Sequence, residues 1–370
     1  MTEAVYIHIP FCEKICSYCD FCKVLYNEKL VDKYLDSLEN EIKKRYLGEK
    51  IKTLYIGGGT PSSLNITQLI RLFEITNIFD KESLEEFTIE ANFENTTFEK
   101  LDLFKKNGVN RLSFGLESTN KKHLEFLNRD FDKIHVRNIV NYAKNIGINN
   151  INIDLIYALK DETIEELKED LDFIIDLDIK HISTYSLIIE KNTLLSVLNT
   201  KNISEDLDLE MYSFICKYLK NNDFYHYEIS NFCKEGYESK HNTVYWKNLH
   251  YYGFGLGASS YVLDERITNT RSFNKYFMGD YFSSIENVSR EDNIEYEIML
   301  GLRMSNGINK KKFYNEFGKN IDECYNYSRL INDGFIIDDK ENVYIPESNF
   351  YISNEIIVEF IRGEVVWIKV

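Results

Sequence analysis

Apolar residues in the first half of the chain alternate between two patterns. Short, nearly continuous apolar runs at Ala4–Ile9, Ile51–Ile56, Glu86–Ala91, Arg111–Phe114, Ile148–Ile156 and His181–Ser186 read as strands. Runs without a polar face predict a parallel sheet covered on both sides. Between them lie stretches with apolar residues three and four apart, such as Val31–Tyr46, where Leu35, Leu38 and Ile42 share one helical face. Gly108 and Gly147 stand where two such helices must stop ahead of the next strand. Strand–helix units repeated six times over residues 1–186 predict an α/β fold, an incomplete (β/α)6 TIM-like barrel open at its side. Such barrels collect their chemistry at the C-terminal ends of the strands.

The pattern changes near residue 187. Residues 187–289 are less regular and rich in Tyr, Asn and Phe, and read as an extension. In residues 290–370 the periodicity predicts helices at Ile294–Met304, Lys310–Phe317 and Asp322–Asn332, the last ended by Gly334, and a hairpin over Phe335–Ile345. Helices followed by a hairpin make an α+β module that resembles a winged helix. A net charge of −16 argues against a nucleic-acid partner, whose phosphates require a basic face. No apolar run approaches the roughly 18 residues of a membrane span. Seven cysteines without an apolar leader point to a reducing cytoplasm, where thiols serve metals rather than disulfides.

Four of those cysteines stand together, in Cys12-Glu13-Lys14-Ile15-Cys16-Ser17-Tyr18-Cys19-Asp20-Phe21-Cys22. The spacing of Cys12, Cys16 and Cys19 lets one short loop offer three thiolates to three corners of a [4Fe–4S] cube, leaving one iron open to a small molecule. A ferredoxin site would want a fourth thiolate and a different first spacing, and a structural zinc site would want paired knuckles. Cys22 could in principle close a four-cysteine site.

The next motif, Gly57-Gly58-Gly59-Thr60-Pro61, follows a strand, where side-chain-free residues let backbone amides approach a ligand. Glu90 sits where an apolar strand runs out, and a carboxylate there can accept hydrogen bonds from an ammonium or a ribose; Asp154 stands within the apolar run Ile151–Tyr157, where burial is costly without a partner. Arg129 suits a carboxylate bound through two bonds. Further on, His241-Asn242-Thr243-Val244-Tyr245-Trp246 offers an imidazole, a good haem-iron ligand, beside two aromatics that also suit a core.

The cysteine loop with its Gly-rich turn resembles the radical S-adenosylmethionine (SAM) superfamily, and the whole set resembles the oxygen-independent coproporphyrinogen III oxidase family, most closely its haem chaperone (HemW-type) branch. The resemblance implies a radical SAM barrel with a [4Fe–4S] cluster on Cys12, Cys16 and Cys19. It implies SAM contacts at Tyr6, Gly58, Gly59, Thr60, Glu90, Glu117, Arg129 and Asp154, and haem contacts at His241, Tyr245 and Trp246. Delivery of haem to a respiratory haemoprotein is the implied role; a homodimer and a transient membrane-surface contact are compatible with it. The alternative is oxidative decarboxylation of coproporphyrinogen III. Enzymes of that kind carry a further cysteine where Phe21 stands here, and Cys22 falls one residue too late. Other departures are Glu117 in place of Gln, Ser259 in place of His, Phe93 and Lys160 in place of prolines, and Ala158 in place of glycine.

Overall fold

The computed structural model describes residues 2–363; Met1 and residues 364–370, the end of the expected C-terminal module, lie outside the described residues. Six parallel strands form the frame: β1 (Ala4–Ile9), β2 (Thr53–Gly58), β3 (Glu86–Asn92), β4 (Arg111–Glu117), β5 (Asn150–Tyr157) and β6 (His181–Ser186). They pair in sequence order, with Ala4 opposite Thr53 and Ile9 opposite Gly58 at the first junction. Ile7, Ile56, Ile89, Leu112, Ile153 and Ile182 are all fully buried, because helices cover the outer face. The first of these helices, Glu28–Arg45, starts where the Asn27 side chain accepts from the Leu30 amide and ends on Lys43, Lys44 and Arg45, whose charges suit its C-terminus. Gly108 and Gly147 follow helices Phe98–Lys106 and Lys133–Asn145, both in left-handed backbone.

The barrel does not close. β1 neighbours β2 on one side and Tyr251–Phe254 on the other, while β6 is followed by Asn231–Cys233. Residues 187–289 thus extend both edges of one 12-stranded sheet. Tyr251–Phe254 adds parallel to β1, and Ser259–Val262, Glu265–Asn269 and Phe282–Asn287 continue as an antiparallel meander. That region also holds a long helix, Glu205–Asn221, with Met211, Tyr212, Ile215 and Leu219 buried at helical spacing.

The C-terminal module is winged-helix-like. It has helices Arg290–Gly301 and Lys310–Phe317 and a small three-stranded sheet in which Ile337–Asp338 pairs with Asn342–Tyr344. The expected helix Asp322–Asn332 is broken into Ile321–Cys324 and Ser328–Asn332. Tertiary packing breaks it: Tyr327 stacks on Phe360 with ring centres 4.6 Å apart, and Tyr325 also packs on Phe360. Among the described residues no helix is long and apolar enough to cross a membrane.

Candidate cluster and ligand site

The cysteine loop leaves β1 at Pro10 and lies over the C-terminal ends of the strands. Its base is tied by the Val24 amide to the Pro10 carbonyl (2.7 Å) and the Tyr26 amide to the Cys12 carbonyl (2.8 Å). Its tip is tied by Ser17, which bonds the Leu127 and Phe126 carbonyls, and by Asn128, whose side-chain amide donates to the Ile15 carbonyl (2.8 Å). These ties present Cys12, Cys16 and Cys19 to one cavity of about 310 Å³. All three are free thiols, and burial pushes each upward, Cys12 to about 11.

Among the described residues no three His, Cys, Asp or Glu side chains converge on a single metal ion. A cubane, by contrast, spreads its thiolates over separate irons. Its cationic irons would supply the charge that ionises buried thiols. Thr60 Oγ1 already donates to Cys12 Sγ (3.5 Å), and Arg129 Nη1 to Cys16 Sγ (3.9 Å), so two sulfurs have donors in place.

The glycine turn is shaped by its neighbours. A Cβ on Gly57 would stand 2.7 Å from the Glu90 carboxyl, and one on Gly59 would stand 3.0 Å from Cys12 Sγ. Residue 57 must therefore be glycine for Glu90 to reach the turn. Glu90 Oε2 accepts from the Gly58 amide (2.9 Å) and Oε1 from the Tyr55 hydroxyl (2.7 Å). Burial pushes its carboxyl up to about 7.

On the opposite wall a bulge in β4, where register shifts between Gly115 and Glu117, swings Glu117 inward. Glu117 holds φ +60°, a strained value for a side-chain-bearing residue. Its Oε1 accepts from the Tyr18 hydroxyl (2.9 Å) and Arg129 Nη1 (3.2 Å), while Oε2 is buried with no partner. Burial again raises the carboxyl to about 7. Arg129 is clamped by Glu94, at 2.7 Å and 3.0 Å, and by the Gly115 carbonyl (2.8 Å). Asp154 accepts from Asn152 Nδ2 (2.8 Å), and burial pushes it upward. Arg111, fully buried with Nε unpaired, lines the same cavity. An acceptor without a donor, a cation and a cradle free of Cβ atoms fit the ammonium, carboxylate and hydroxyls of SAM.

The expected contacts divide between two cavities. Gly59, Thr60, Glu117, Arg129 and Asp154 line the first; Tyr6 lines a second, of about 420 Å³, with His8, Cys22, Tyr245, Tyr251, Ser259 and Arg271. Gly58, Glu90 and Phe21 line both. His241 lies apart, fully buried, with Nδ1 bonded to Thr53 Oγ1 (2.9 Å), Nε2 bonded to the Tyr245 hydroxyl (2.7 Å), and its ring stacked on Tyr55. Trp246 packs with Tyr227, Cys233 and Met304, its Nε1 buried and unpaired. Sequence reading missed Tyr55, Glu94, Arg111 and Asn152. Tyr55, Arg111 and Asn152 stand on β2, β4 and β5, where a polar group within an apolar strand was the available signal; Glu94 lies just past β3 and carried none.

Residues 6–174 match the radical SAM superfamily, and residues 288–350 match the HemN C-terminal domain. Fold and cysteine loop together define a radical SAM protein. Over its full length the structure is similar to coproporphyrinogen III oxidase (HemN) from Escherichia coli, with a TM-score of 0.87 at 22% identity, covering 98% of this chain and 91% of that one; this likeness speaks to fold. The chain is 37% identical to heme chaperone HemW of Lactococcus lactis, over 98% of both chains. It is 36% identical to heme chaperone HemW of Bacillus subtilis, over 97% of this chain and 99% of that one. It belongs to the HemW family.

Proposed function

We propose that the protein is a cytoplasmic haem chaperone that carries a [4Fe–4S] cluster on Cys12, Cys16 and Cys19, binds SAM beside it, and passes haem to a respiratory haemoprotein. The observation carrying this reading is the end-to-end similarity to curated relatives named heme chaperone, at 36–37% identity. A cluster with an open iron supplies single-electron chemistry to a bound sulfonium.

The chain's own residues do the rest. Glu90, fixed by Tyr55 and Gly58, is placed to accept from an ammonium or hydroxyl. Arg129, held by Glu94 and the Gly115 carbonyl, presents a fixed cation to the cavity, and a ligand carboxylate would draw on the Nη1 donors now given to Glu117 and Cys16. Glu117 Oε2 takes a donor from the ligand, which removes its burial cost. Phe21, at the position of the extra cysteine in decarboxylating relatives, favours haem carriage over porphyrinogen oxidation. Tyr245 enters through the second cavity; a haem bond to His241 would require breaking the hydrogen bond on whichever ring nitrogen took the iron, Nε2 to Tyr245 or Nδ1 to Thr53.

The test is anaerobic reconstitution followed by haem titration, watching the Soret band, with a parallel assay for 5′-deoxyadenosine. Saturable haem binding and a cluster lost in Cys16→Ser are expected. A reconstituted sample that binds no haem, or that converts coproporphyrinogen III, overturns the reading.

A further inference from the structure

Phe21 is 64% exposed, Ile188 65% and Tyr185 43%, and all three line the first cavity, at its mouth. Apolar residues exposed singly are ordinary, but a set ringing one opening marks a binding surface. Half-buried Ile15 and buried Leu187 carry the apolar lining inward. Lys14 and Lys23 belong to the same lining. Lys14 is exposed and is not held by a carboxylate among the described residues, so its charge is available at the opening. Apolar walls with cations at the edge complement a flat, apolar ring that carries carboxylates on its rim. His241 offers the opposite: no exposure, and both ring nitrogens bonded within the protein.

We propose that the mouth of the first cavity, formed by Phe21, Tyr185 and Ile188 with Lys14 beside them, is the seat of a planar, carboxylate-bearing macrocycle, and that His241 is a strut of the barrel rather than its ligand. The placement rests on the haem-carrier reading and sharpens it. Ring faces are held by dispersion and by removal of apolar area from water, so the seat does not depend on the central metal. The polar floor beneath, with Glu117, Arg129 and Asp154, stays free for a second ligand.

The experiment titrates the full chain with haem, followed by the Soret band, and with iron-free protoporphyrin IX, followed by fluorescence. The combined Phe21→Ser and Ile188→Ser variant should weaken both ligands about tenfold or more, since two apolar contacts are lost. Both side chains are exposed, so its thermal midpoint should match that of the parent. Lys14→Glu should weaken protoporphyrin binding but leave its dimethyl ester unaffected. His241→Gln should leave affinity within about threefold.

Parent-like binding by the rim variant, or a loss produced instead by Tyr251→Ser and Arg271→Glu in the neighbouring cavity, overturns the placement while leaving the haem-carrier reading intact. If the unaltered chain binds neither ring, the haem-carrier reading itself fails, and the placement with it.

Discussion

Two buried carboxylates, Glu41 and Glu117, sit in the same molecule under opposite terms. Glu41, on the first helix, accepts from Asn269 Nδ2 (2.7 Å), the Tyr276 hydroxyl (2.6 Å), the Gly255 amide (2.8 Å) and Arg45. Arg45 in turn bonds Ser260 Oγ (3.0 Å) and Asn269 Oδ1 (3.2 Å). Every acceptor there is answered from within the protein, and the network ties the meander to the barrel. Glu117 has one oxygen answered and one bare, on a backbone twisted to φ +60°. A polar cluster that only holds the fold closes on itself. One that faces a cavity keeps strain and an open acceptor, and here the open acceptor lies beside the three thiols. By this standard His241 belongs with Glu41.

The strongest way to break the contrast is Glu41→Ala, which strands Arg45 in the interior. It should cost about 3–5 kcal/mol in urea unfolding, and a loss under about 1 kcal/mol would show the network to be dispensable. Next, His241→Ala removes bonds to Thr53 and Tyr245 and a stacked ring. A loss of about 2–3 kcal/mol is expected, whereas an unchanged midpoint would mean that the imidazole is not structural.

The third test uses pH. Burial pushes Glu162, whose Oε1 is unpaired, up to about 8, and Glu228 up to about 7, from an ordinary value of 4.5. The folded chain therefore binds more protons than the unfolded one across that interval, and stability falls as pH rises through it. Buried His8 and His226, lowered to about 4, and His241, lowered to about 3, act in the opposite sense but only below about 6.5. Between about pH 6.5 and 8 the buried glutamates, with Glu90 and Glu117 also at about 7, act without the histidines. Glu162 should account for a loss of about 1–2 kcal/mol in that window, and Glu162→Gln should flatten the urea midpoint; an equal slope in both proteins would refute the assignment.

Smaller still is Ala158→Gly. Ala158 holds φ +61°, which costs an alanine about 1–2 kcal/mol, partly offset by the flexibility of an unfolded glycine. A net gain of about 0.5–1 kcal/mol in thermal unfolding is expected, and a loss would show that the buried methyl matters more than the backbone. Smallest is Glu117→Gln. With the acceptor open and Glu94 still clamping Arg129, stability should change by less than about 0.5 kcal/mol, and a change above about 2 kcal/mol would place Glu117 with the closed networks.

Much of the barrel was legible along the chain. Ala4–Ile9 and His181–Ser186 appear at the expected residues because a strand buried on both faces writes itself as an apolar run. Cys12, Cys16, Cys19, Gly58, Glu90 and Asp154 could be singled out because spacing within one loop, or a carboxylate set in an apolar strand, is a local property. What happens between residues 187 and 289 was not legible. Tyr251–Phe254 becomes a strand by pairing with β1, more than two hundred residues earlier, a partnership no local period records.

The sequence by itself therefore determined the strand–helix alternation, the three-thiol loop and the polar residues at strand ends. Tertiary structure alone decided that the expected ligand contacts divide between two cavities, that Glu41 is answered by residues 214, 228 and 235 positions away, and that His241 spends both nitrogens on Thr53 and Tyr245. The reason is physical. Periodicity encodes which face of an element turns inward, whereas a hydrogen-bond partner exists only once the sheet has brought distant segments within about 3 Å.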